Sequence, residues 1–262
     1  MQDSQDQLIK KVPSTNILNQ QYTLKGLWKI SEISNGTVID LSGNDNPLIS
    51  TVNTVKNNSL SRLGTNKALV NTLNSFSIAA WVYLDSTLIN SKLELEPNEH
   101  ALTAVSQDSA THSAFYLGIR KIAEPGSSDN ASLRWNFTIS PIDGSETGPV
   151  EWLHAYATTP LNDSILDKWI FLVGVSDHKK RSVHLYLPES NESGVAFMPD
   201  VWTFWKAEGG LQVGRGRWLT RDVDFWPGQV GTIHAFEGVL TPEHAKELYL
   251  EGVKNYANAS EV

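Results

Sequence analysis

Two short stretches of the sequence hold side chains that could bind or transform a ligand. In the first, EWLHAYA, the residues Trp152, His154 and Tyr156 alternate with apolar ones, so a β-strand would place all three on one face of a sheet. On an open face their rings could stack on a sugar or another flat ligand. His154 and Tyr156 could then exchange protons beside Glu151. A single histidine on a strand is more often structural, and that alternative stays open.

The second stretch, GRGRWLTRDVD, follows a short strand predicted at residues 211–213 and is interpreted as a polar loop. Its candidate binding residues are Arg215, Arg217, Trp218, Asp222 and Asp224. A guanidinium beside a carboxylate and an aromatic ring can hydrogen-bond sugar hydroxyls or hold a ligand carboxylate. Ion pairs within the loop itself are the alternative explanation.

The segment VIDLSGNDNPL is dense in turn-forming residues and oxygen ligands. Asp40, Asn44 and Asn46 are candidate ligands for calcium, which takes about six to eight oxygens. A tight turn held by Asx side chains explains the same residues without a metal. The chain has no cysteine, and its seven histidines show no metal-binding spacing. The sequence therefore predicts no zinc or cysteine redox site.

Nine tryptophans are many for a chain of this length. Three are interpreted as core residues: Trp81, Trp169 and Trp226. Four lie in less regular, more polar stretches and are candidates for stacking on a ligand: Trp152, Trp202, Trp205 and Trp218. Packing of a long loop onto the sandwich is the alternative for Trp202 and Trp205.

A pair of alternating glutamates, Glu94 and Glu96 in LELEPNEH, could flank a scissile glycosidic bond, as paired carboxylates do in glycoside hydrolases. The surrounding segment, residues 85–100, is acidic and is predicted to be an excursion loop. A solvated loop is therefore the preferred interpretation of these carboxylates, with Glu99 nearby. No glycine-rich phosphate loop follows a strand, and no nucleophile elbow is present.

Short strands at close spacing dominate the remaining pattern. Residues 75–84, SFSIAAWVYL, are apolar on both faces and predict a central strand. Hairpins are predicted around residues 108–112 and 178–180, and a further strand at residues 229–236. A single helix follows, with Thr241 as its N-cap and Pro242 at its first position. These elements predict an all-β protein of two packed antiparallel sheets with one short C-terminal helix.

The 262 residues are interpreted as a polar N-terminal arm (1–21), one domain (22–255) and a tail (256–262). A formal net charge of −8 argues against nucleic acid as a partner. No apolar run approaches the roughly 20 residues that span a bilayer, so no membrane insertion is predicted.

Two features bear on localisation. Lack of cysteine removes any support from disulfides for an extracellular protein. Asn-X-Ser/Thr sequons nevertheless exceed the roughly three expected by chance. They occur at Asn35, Asn57, Asn130, Asn136, Asn162, Asn191 and Asn258. We predict a secreted eukaryotic glycoprotein, with a bacterial chain rich in asparagine and serine as the alternative.

Ten segments, taken in order, resemble the laminin-G-like, concanavalin-A-like jelly roll. They are LWKI, VIDLSGNDNPL, SFSIAAWVYL, AVSQDSATHSAFYLGI, LRWNF, KWIFLVGVSD, HLYLPE, LQVGRGRW, VDFWPGQVGTIHAF and LTPEHAKELY. The resemblance covers about residues 22–252. It implies a curved two-sheet sandwich, often with a calcium ion at its rim, that serves mostly as a carbohydrate-binding or adhesive module. Gly231 and Thr232 stand where the family often has acidic calcium ligands, which weakens the implied calcium site.

The leading functional prediction is a secreted, non-catalytic, lectin-like protein that binds a glycan on the concave face or rim. Its predicted ligand-binding residues are Trp152, His154, Tyr156, Arg215, Trp218 and Asp222. The alternative is an enzyme (hydrolase, lyase, or isomerase or cyclase) that acts on a sugar or small organic substrate in the same cleft. Its candidate catalytic residues are His154, Tyr156, Glu151, Asp222 and Asp224. A protein-adhesion domain is a third possibility.

Overall fold

The computed structural model describes residues 22–50, 62–96, 100–123, 131–144 and 151–256. The strands are β1 (Tyr22–Lys29), β2 (Thr37–Val38), β3 (Leu48–Ser50), β4 (Leu63–Gly64), β5 (Phe76–Leu84), β6 (Ala101–Asp108), β7 (Ser113–Ala123), β8 (Ala131–Ile139), β9 (Leu153–Tyr156), β10 (Trp169–Asp177), β11 (Ser182–Leu187), β12 (Glu192–Phe197), β13 (Leu211–Val213), β14 (Gly216–Trp218), β15 (Arg221–Val223) and β16 (Gly228–Gly238). The helices are α1 (Ser86–Leu95) and α2 (Pro242–Tyr256). The predicted arm, and all of the predicted tail except Tyr256, lie outside the described residues.

Two antiparallel sheets form the sandwich. One has six strands in the order β1-β16-β5-β10-β11-β12, and the other has eight in the order β2-β3-β4-β13-β6-β7-β8-β9. A separate two-stranded ribbon, β14-β15, lies beside the larger sheet. The predicted fold class, an all-β two-sheet sandwich with a C-terminal helix, is confirmed.

The main core fills the space between the two sheets. Alternate side chains of each strand point into this space. Phe76 of the six-stranded sheet contacts Phe115 and Phe137 of the eight-stranded sheet, with ring centroids 5.2 and 6.3 Å away. Trp226 is also buried in this core, as predicted.

A second apolar cluster lies on the outer face of the six-stranded sheet, where α2 covers it. Trp81 stacks on Tyr249 and Tyr256 of this helix, with ring centroids 5.6 and 4.6 Å apart. The helix begins as predicted, because the Thr241 hydroxyl accepts a hydrogen bond from the His244 N–H at 3.3 Å. The core predicted for Trp81 thus exists, but on the outside of the sandwich under α2.

The prediction of a loop over residues 85–100 is wrong, because helix α1 occupies most of it. Asp85 caps this helix by accepting a hydrogen bond from the Leu88 N–H at 2.9 Å. Ile89 is its only buried residue, so the helix lacks the apolar stripe that would mark it in the sequence. The loop predicted after residue 213 is likewise wrong in part, since it contains the β14-β15 hairpin.

Two observations concern localisation. Neither helix of the described chain has the length and apolar character needed to cross a bilayer. Of the predicted glycosylation sites, Asn136 is buried on β8 and is closed to a glycan in the folded protein, whereas Asn35, Asn162 and Asn191 are exposed.

Candidate ligand-binding cavity

The outer face of the eight-stranded sheet carries rows of polar and aromatic side chains instead of an apolar cover. Strand register aligns Tyr116 with Thr138 and Thr138 with His154 across β7, β8 and β9. Leu153 and Ala155 pack into the core on the opposite face. The predicted alternation along β9 is therefore confirmed, and His154 and Tyr156 share the outer face.

The β14-β15 hairpin stands over this face and is fixed to it by hydrogen bonds. The Thr103 N–H donates to the Asp224 carbonyl at 2.7 Å, and the Thr220 N–H donates to the Thr111 carbonyl at 2.9 Å. The Tyr116 hydroxyl donates to the Arg217 carbonyl at 2.5 Å. The hairpin is thus attached through its backbone, which leaves its outward side chains available to line a site.

A cavity of about 650 Å³ lies between the hairpin, the outer face of β6 and β7, and helix α1. Four of its lining residues are aromatic: Tyr116, Trp152, Trp218 and Phe225. The Trp152 ring packs against Tyr116 with centroids 5.5 Å apart, and Trp218 is 43% exposed. Six other lining residues carry charged or titratable groups: Lys92, Glu96, His100, Arg120, Asp222 and Asp224. This mixture of rings and polar groups is typical of small-ligand sites.

Ion pairs connect the hairpin to the sheet behind the cavity. Arg215 is buried and contacts Asp108 at 2.9 Å and Asp222 at 3.3 Å. Arg62 contacts the other Asp222 oxygen at 3.1 Å. Arg217 lies 3.4 Å from Asp108. These contacts fix the Asp222 carboxylate at the cavity wall.

The electrostatics of the sheet face are set by burial and by Arg120. Burial, and then the positive charge of Arg120, lower the pKa of His154 to about 3. His154 is thus neutral at neutral pH, and its Nδ1 lies 2.9 Å from the Thr138 hydroxyl. Burial also raises the pKa of Tyr116. The Tyr116 hydroxyl accepts a hydrogen bond from the Ser113 N–H and donates one to the Arg217 carbonyl. The aromatic ring of Tyr116, and not its hydroxyl, is therefore the part that a ligand in the cavity could contact.

The structure separates the residues predicted for the site. Trp152, Trp218, Asp222 and Asp224 line the cavity, whereas Arg215 lies behind it in ion pairs. His154 and Tyr156 lie on the same sheet face without lining the cavity, and Glu151 is exposed ahead of β9. Their roles in ligand binding or catalysis stay predictions.

Sequence reasoning missed several lining residues, among them Tyr116, Arg120, Lys92 and Phe225. The stretch YLGIR does contain a signal, because Tyr116 and Arg120 occupy alternate positions of a predicted strand and so share a face. Lys92 could not be found because α1 was not predicted. Glu96, first interpreted as part of a solvated loop, also lines the cavity and pairs with Lys92 at 2.9 Å.

The other two candidate stacking tryptophans lie elsewhere. Trp202 is buried in the main core, and the Trp205 Nε1–H donates to the Ser140 carbonyl at 2.9 Å. Both pack the long segment after β12 onto the sandwich, which was the alternative interpretation of these residues. Trp169 is half-buried and packs against Tyr256 of α2.

The candidate calcium ligands form a hydrogen-bonded turn. The Asp40 carboxylate accepts from the backbone N–H groups of Leu27, Ser42 and Asn46 at 2.9 to 3.1 Å. The Asn44 and Asn46 side-chain amides donate to the carbonyls of residues 24 and 25. Both oxygens of the single carboxylate already accept backbone hydrogen bonds, which makes this turn poorly suited to calcium. The described residues contain no cluster of acidic or histidine side chains suited to a metal. Calcium binding stays a prediction.

No protein-family model matches the sequence, and no curated protein sequence matches it either. Solved structures are similar in fold. Domain 4 of AbnA, a GH43 extracellular arabinanase from Geobacillus stearothermophilus solved in complex with arabinotriose, is 18% identical with a TM-score of 0.51. That similarity covers 87% of this chain and 99% of the domain.

Two further structures cover less of one chain or the other. Botulinum neurotoxin type C, described as dependent on two ganglioside molecules for cell entry, is 10% identical with a TM-score of 0.50, over 87% of this chain and 51% of that one. The CBM40 of Ruminococcus gnavus IT-sialidase, bound to α2,3 sialyllactose, is 9% identical with a TM-score of 0.45, over 71% and 95%. At these identities the first two similarities establish a shared β-sandwich fold and no more.

Proposed function

We propose that this protein is a secreted, non-catalytic, lectin-like protein that binds a glycan in the cavity under the β14-β15 hairpin. The observation that carries the proposal is the cavity itself. Its volume of about 650 Å³ falls within the roughly 300–1,000 Å³ typical of small-ligand sites. Trp152 and Trp218 supply ring surface for the apolar face of a sugar, and the surrounding charged groups supply hydrogen bonds for its hydroxyls.

Fold similarity supports the choice of ligand class. Domain 4 of AbnA was solved with arabinotriose, and botulinum neurotoxin type C is described as interacting with gangliosides. Both ligands are carbohydrates or carry them, and both proteins share this sandwich. The ordered motifs that resemble the laminin-G-like, concanavalin-A-like superfamily support the same proposal and an extracellular location.

The state of His154 supports binding without catalysis. A histidine whose pKa is lowered to about 3 is a weak base at neutral pH, and Thr138 occupies its Nδ1. The Asp222 carboxylate is paired with Arg62 and Arg215, which fixes it in place as a hydrogen-bond acceptor. A general base is most effective when its pKa lies near the working pH, and the pKa of His154 lies well below it.

The test is a glycan array followed by calorimetric titration of the ligands that it identifies. Trp218→Ala should weaken binding about tenfold by removing a stacking surface, while circular dichroism stays unchanged. Phe197→Ala is the matched control, because Phe197 is an exposed aromatic on β12, outside the cavity, and its loss should leave affinity unaltered.

Three results would contradict parts of the proposal. An unchanged affinity in Trp218→Ala would remove that residue from the site. Absence of binding to every sugar class on the array would reject glycan recognition. Products detected by mass spectrometry after incubation with a bound glycan, and lost in His154→Ala, would identify an enzyme instead.

A further inference from the structure

The charged groups around the cavity are largely matched to one another. Lys92 pairs with Glu96 at 2.9 Å at the α1 side. Behind the hairpin, the ion-pair cluster contains three arginines and two aspartates: Arg62, Arg215, Arg217, Asp108 and Asp222. Among the described residues this cluster therefore carries one positive charge in excess, although the chain as a whole has a formal net charge of −8.

Arg120 differs from the other arginines of this region. It lies half-buried on β7 and lines the cavity. Within the described part of the chain, its guanidinium has no hydrogen-bond or ion-pair partner, and Asp224 and Tyr116 act on it only through longer-range electrostatics. A guanidinium has five N–H donors, and leaving them unpaired in a partly buried place is unfavourable. Arg120 therefore has donors available for a ligand.

The electrostatic balance at Arg120 favours an anion. Burial lowers the pKa of Arg120, and the opposing effects of Asp224 and Tyr116 are smaller. The charged guanidinium is thus less well stabilised than in water. Binding a negative group in the cavity would restore that lost stabilisation, whereas an uncharged hydroxyl would restore less of it.

We infer that the cavity is selective for a saccharide that carries a carboxylate, and that Arg120 binds this carboxylate while Trp152 and Trp218 contact the sugar ring. This inference rests on the glycan-binding function proposed above. A planar guanidinium matches a planar carboxylate through two parallel hydrogen bonds. The excess positive charge of the neighbouring cluster acts in the same direction. Asp224 is the opposing group, since it lines the same cavity and acts electrostatically on Arg120.

The experiment measures affinity by calorimetry for two acidic sugars, D-glucuronic acid and N-acetylneuraminic acid, each against its uncharged methyl ester. At least one acid should bind about 10- to 100-fold more tightly than its ester, as expected for a charge-assisted hydrogen-bond pair. Glucose 6-sulfate, a sulfated neutral sugar, serves as a probe for anions of another shape and should bind more weakly than the acid.

Variants assign the effect to Arg120. Arg120→Gln should abolish the preference, so that acid and ester bind with about equal affinity. Arg120→Lys keeps the positive charge but loses the two parallel hydrogen bonds of a guanidinium, and it should retain part of the preference. Lys121→Gln is the matched control, because Lys121 is exposed, alternates to the other face of the same strand and carries the same charge. Asp224→Asn should increase affinity for the acid alone; asparagine tolerates the left-handed backbone found there, with φ of 56°.

The outcomes separate this inference from the proposed function. Binding of acid and ester with equal affinity, or tighter binding of the ester, would overturn the inference and leave glycan binding intact. An acid preference that persists in Arg120→Gln would also overturn it. Failure of all these sugars and of the glycan array would reject both. Loss of the acid preference in Arg120→Gln, with retained binding of the ester, is the result that supports the inference.

Discussion

Among individual residues, Asp108 connects the arginines of the hairpin segment to the sheet behind the cavity. Its carboxylate is buried, contacts Arg215 at 2.9 Å and Arg217 at 3.4 Å, and accepts a hydrogen bond from the Ser113 hydroxyl at 2.9 Å. Asp108→Asn should lower the free energy of unfolding by about 3 kcal/mol, because it leaves the buried Arg215 charge poorly compensated. Urea denaturation followed by fluorescence measures the change.

The matched control for this prediction is Glu208→Gln, which breaks the exposed pair between Glu208 and Lys206. Exposed ion pairs contribute roughly 0–1 kcal/mol, so this variant should remain close to wild type. A loss below about 1 kcal/mol in Asp108→Asn would mean that Asp222 alone compensates Arg215.

Residue-level prediction from sequence succeeded where it relied on strand alternation and failed where it relied on tertiary pairing. Alternation correctly placed His154 and Tyr156 on one face. Nothing local to GRGRW, however, indicates that Arg215 turns inward to Asp108, more than 100 positions away in the chain. Sequence identified Arg215 and Trp218 as neighbours; only the fold decides that the first is buried and the second is 43% exposed.

Among the elements, the β14-β15 hairpin is built with backbone strain at its turn. Leu219 and Thr220 have φ of 48° and 67°, the left-handed region that a two-residue hairpin turn of this type requires and that Asn-Gly adopts most readily. A β-branched residue is especially unfavourable there. Strain of this kind is frequent at functional sites, and this turn follows directly after Trp218.

Replacing the turn by Asn-Gly should therefore stabilise the protein. Leu219→Asn combined with Thr220→Gly should raise the free energy of unfolding by about 1–2 kcal/mol. Each strained residue costs about 1–3 kcal/mol, but glycine loses more conformational entropy on folding, which offsets part of the gain. Thermal unfolding by calorimetry measures the change. Leu219→Ala, which removes the side chain without relieving the turn, serves as the control, and a double variant no more stable than wild type would show that the turn is not strained.

Prediction of elements from sequence depended on the strength of the local signal. β5 is buried on both faces and has a strong apolar pattern, and α2 begins with the cap signal of Thr241 and Pro242, so both were predicted. α1 buries one residue and the hairpin has only three residues in each strand. Elements this small are stabilised by their contacts with the sheet more than by their own sequence, and these are the elements that complete the cavity.

On the scale of the whole molecule, the cavity exists because distant segments meet. Strand β13 lies between β4 and β6, which brings the chain after residue 213 over β6 and β7. Helix α1, inserted between β5 and β6, closes the other side. Strand order of this kind is not encoded in local sequence patterns. The sequence therefore predicted the sandwich and several of the lining residues, but not which segments lie together around the cavity.

One outer face of the sandwich is covered by α2 and the other carries the candidate cavity, and this difference leads to the last prediction. Tyr249 of α2 packs on Trp81 and Phe171 of the sheet below it, with ring centroids 5.6 and 6.4 Å away. This cluster lies on the side of the molecule opposite Trp218. Tyr249→Ala should lower the free energy of unfolding by about 2–3 kcal/mol through lost packing, yet leave the folded protein's affinity for a glycan bound in the proposed site within about twofold of wild type. Trp218→Ala should do the reverse, because Trp218 is half-exposed and contributes little to the core. Titration and urea denaturation of both variants test this; a glycan affinity that falls in proportion to stability in Tyr249→Ala would mean that the two faces are coupled through β5 and the core.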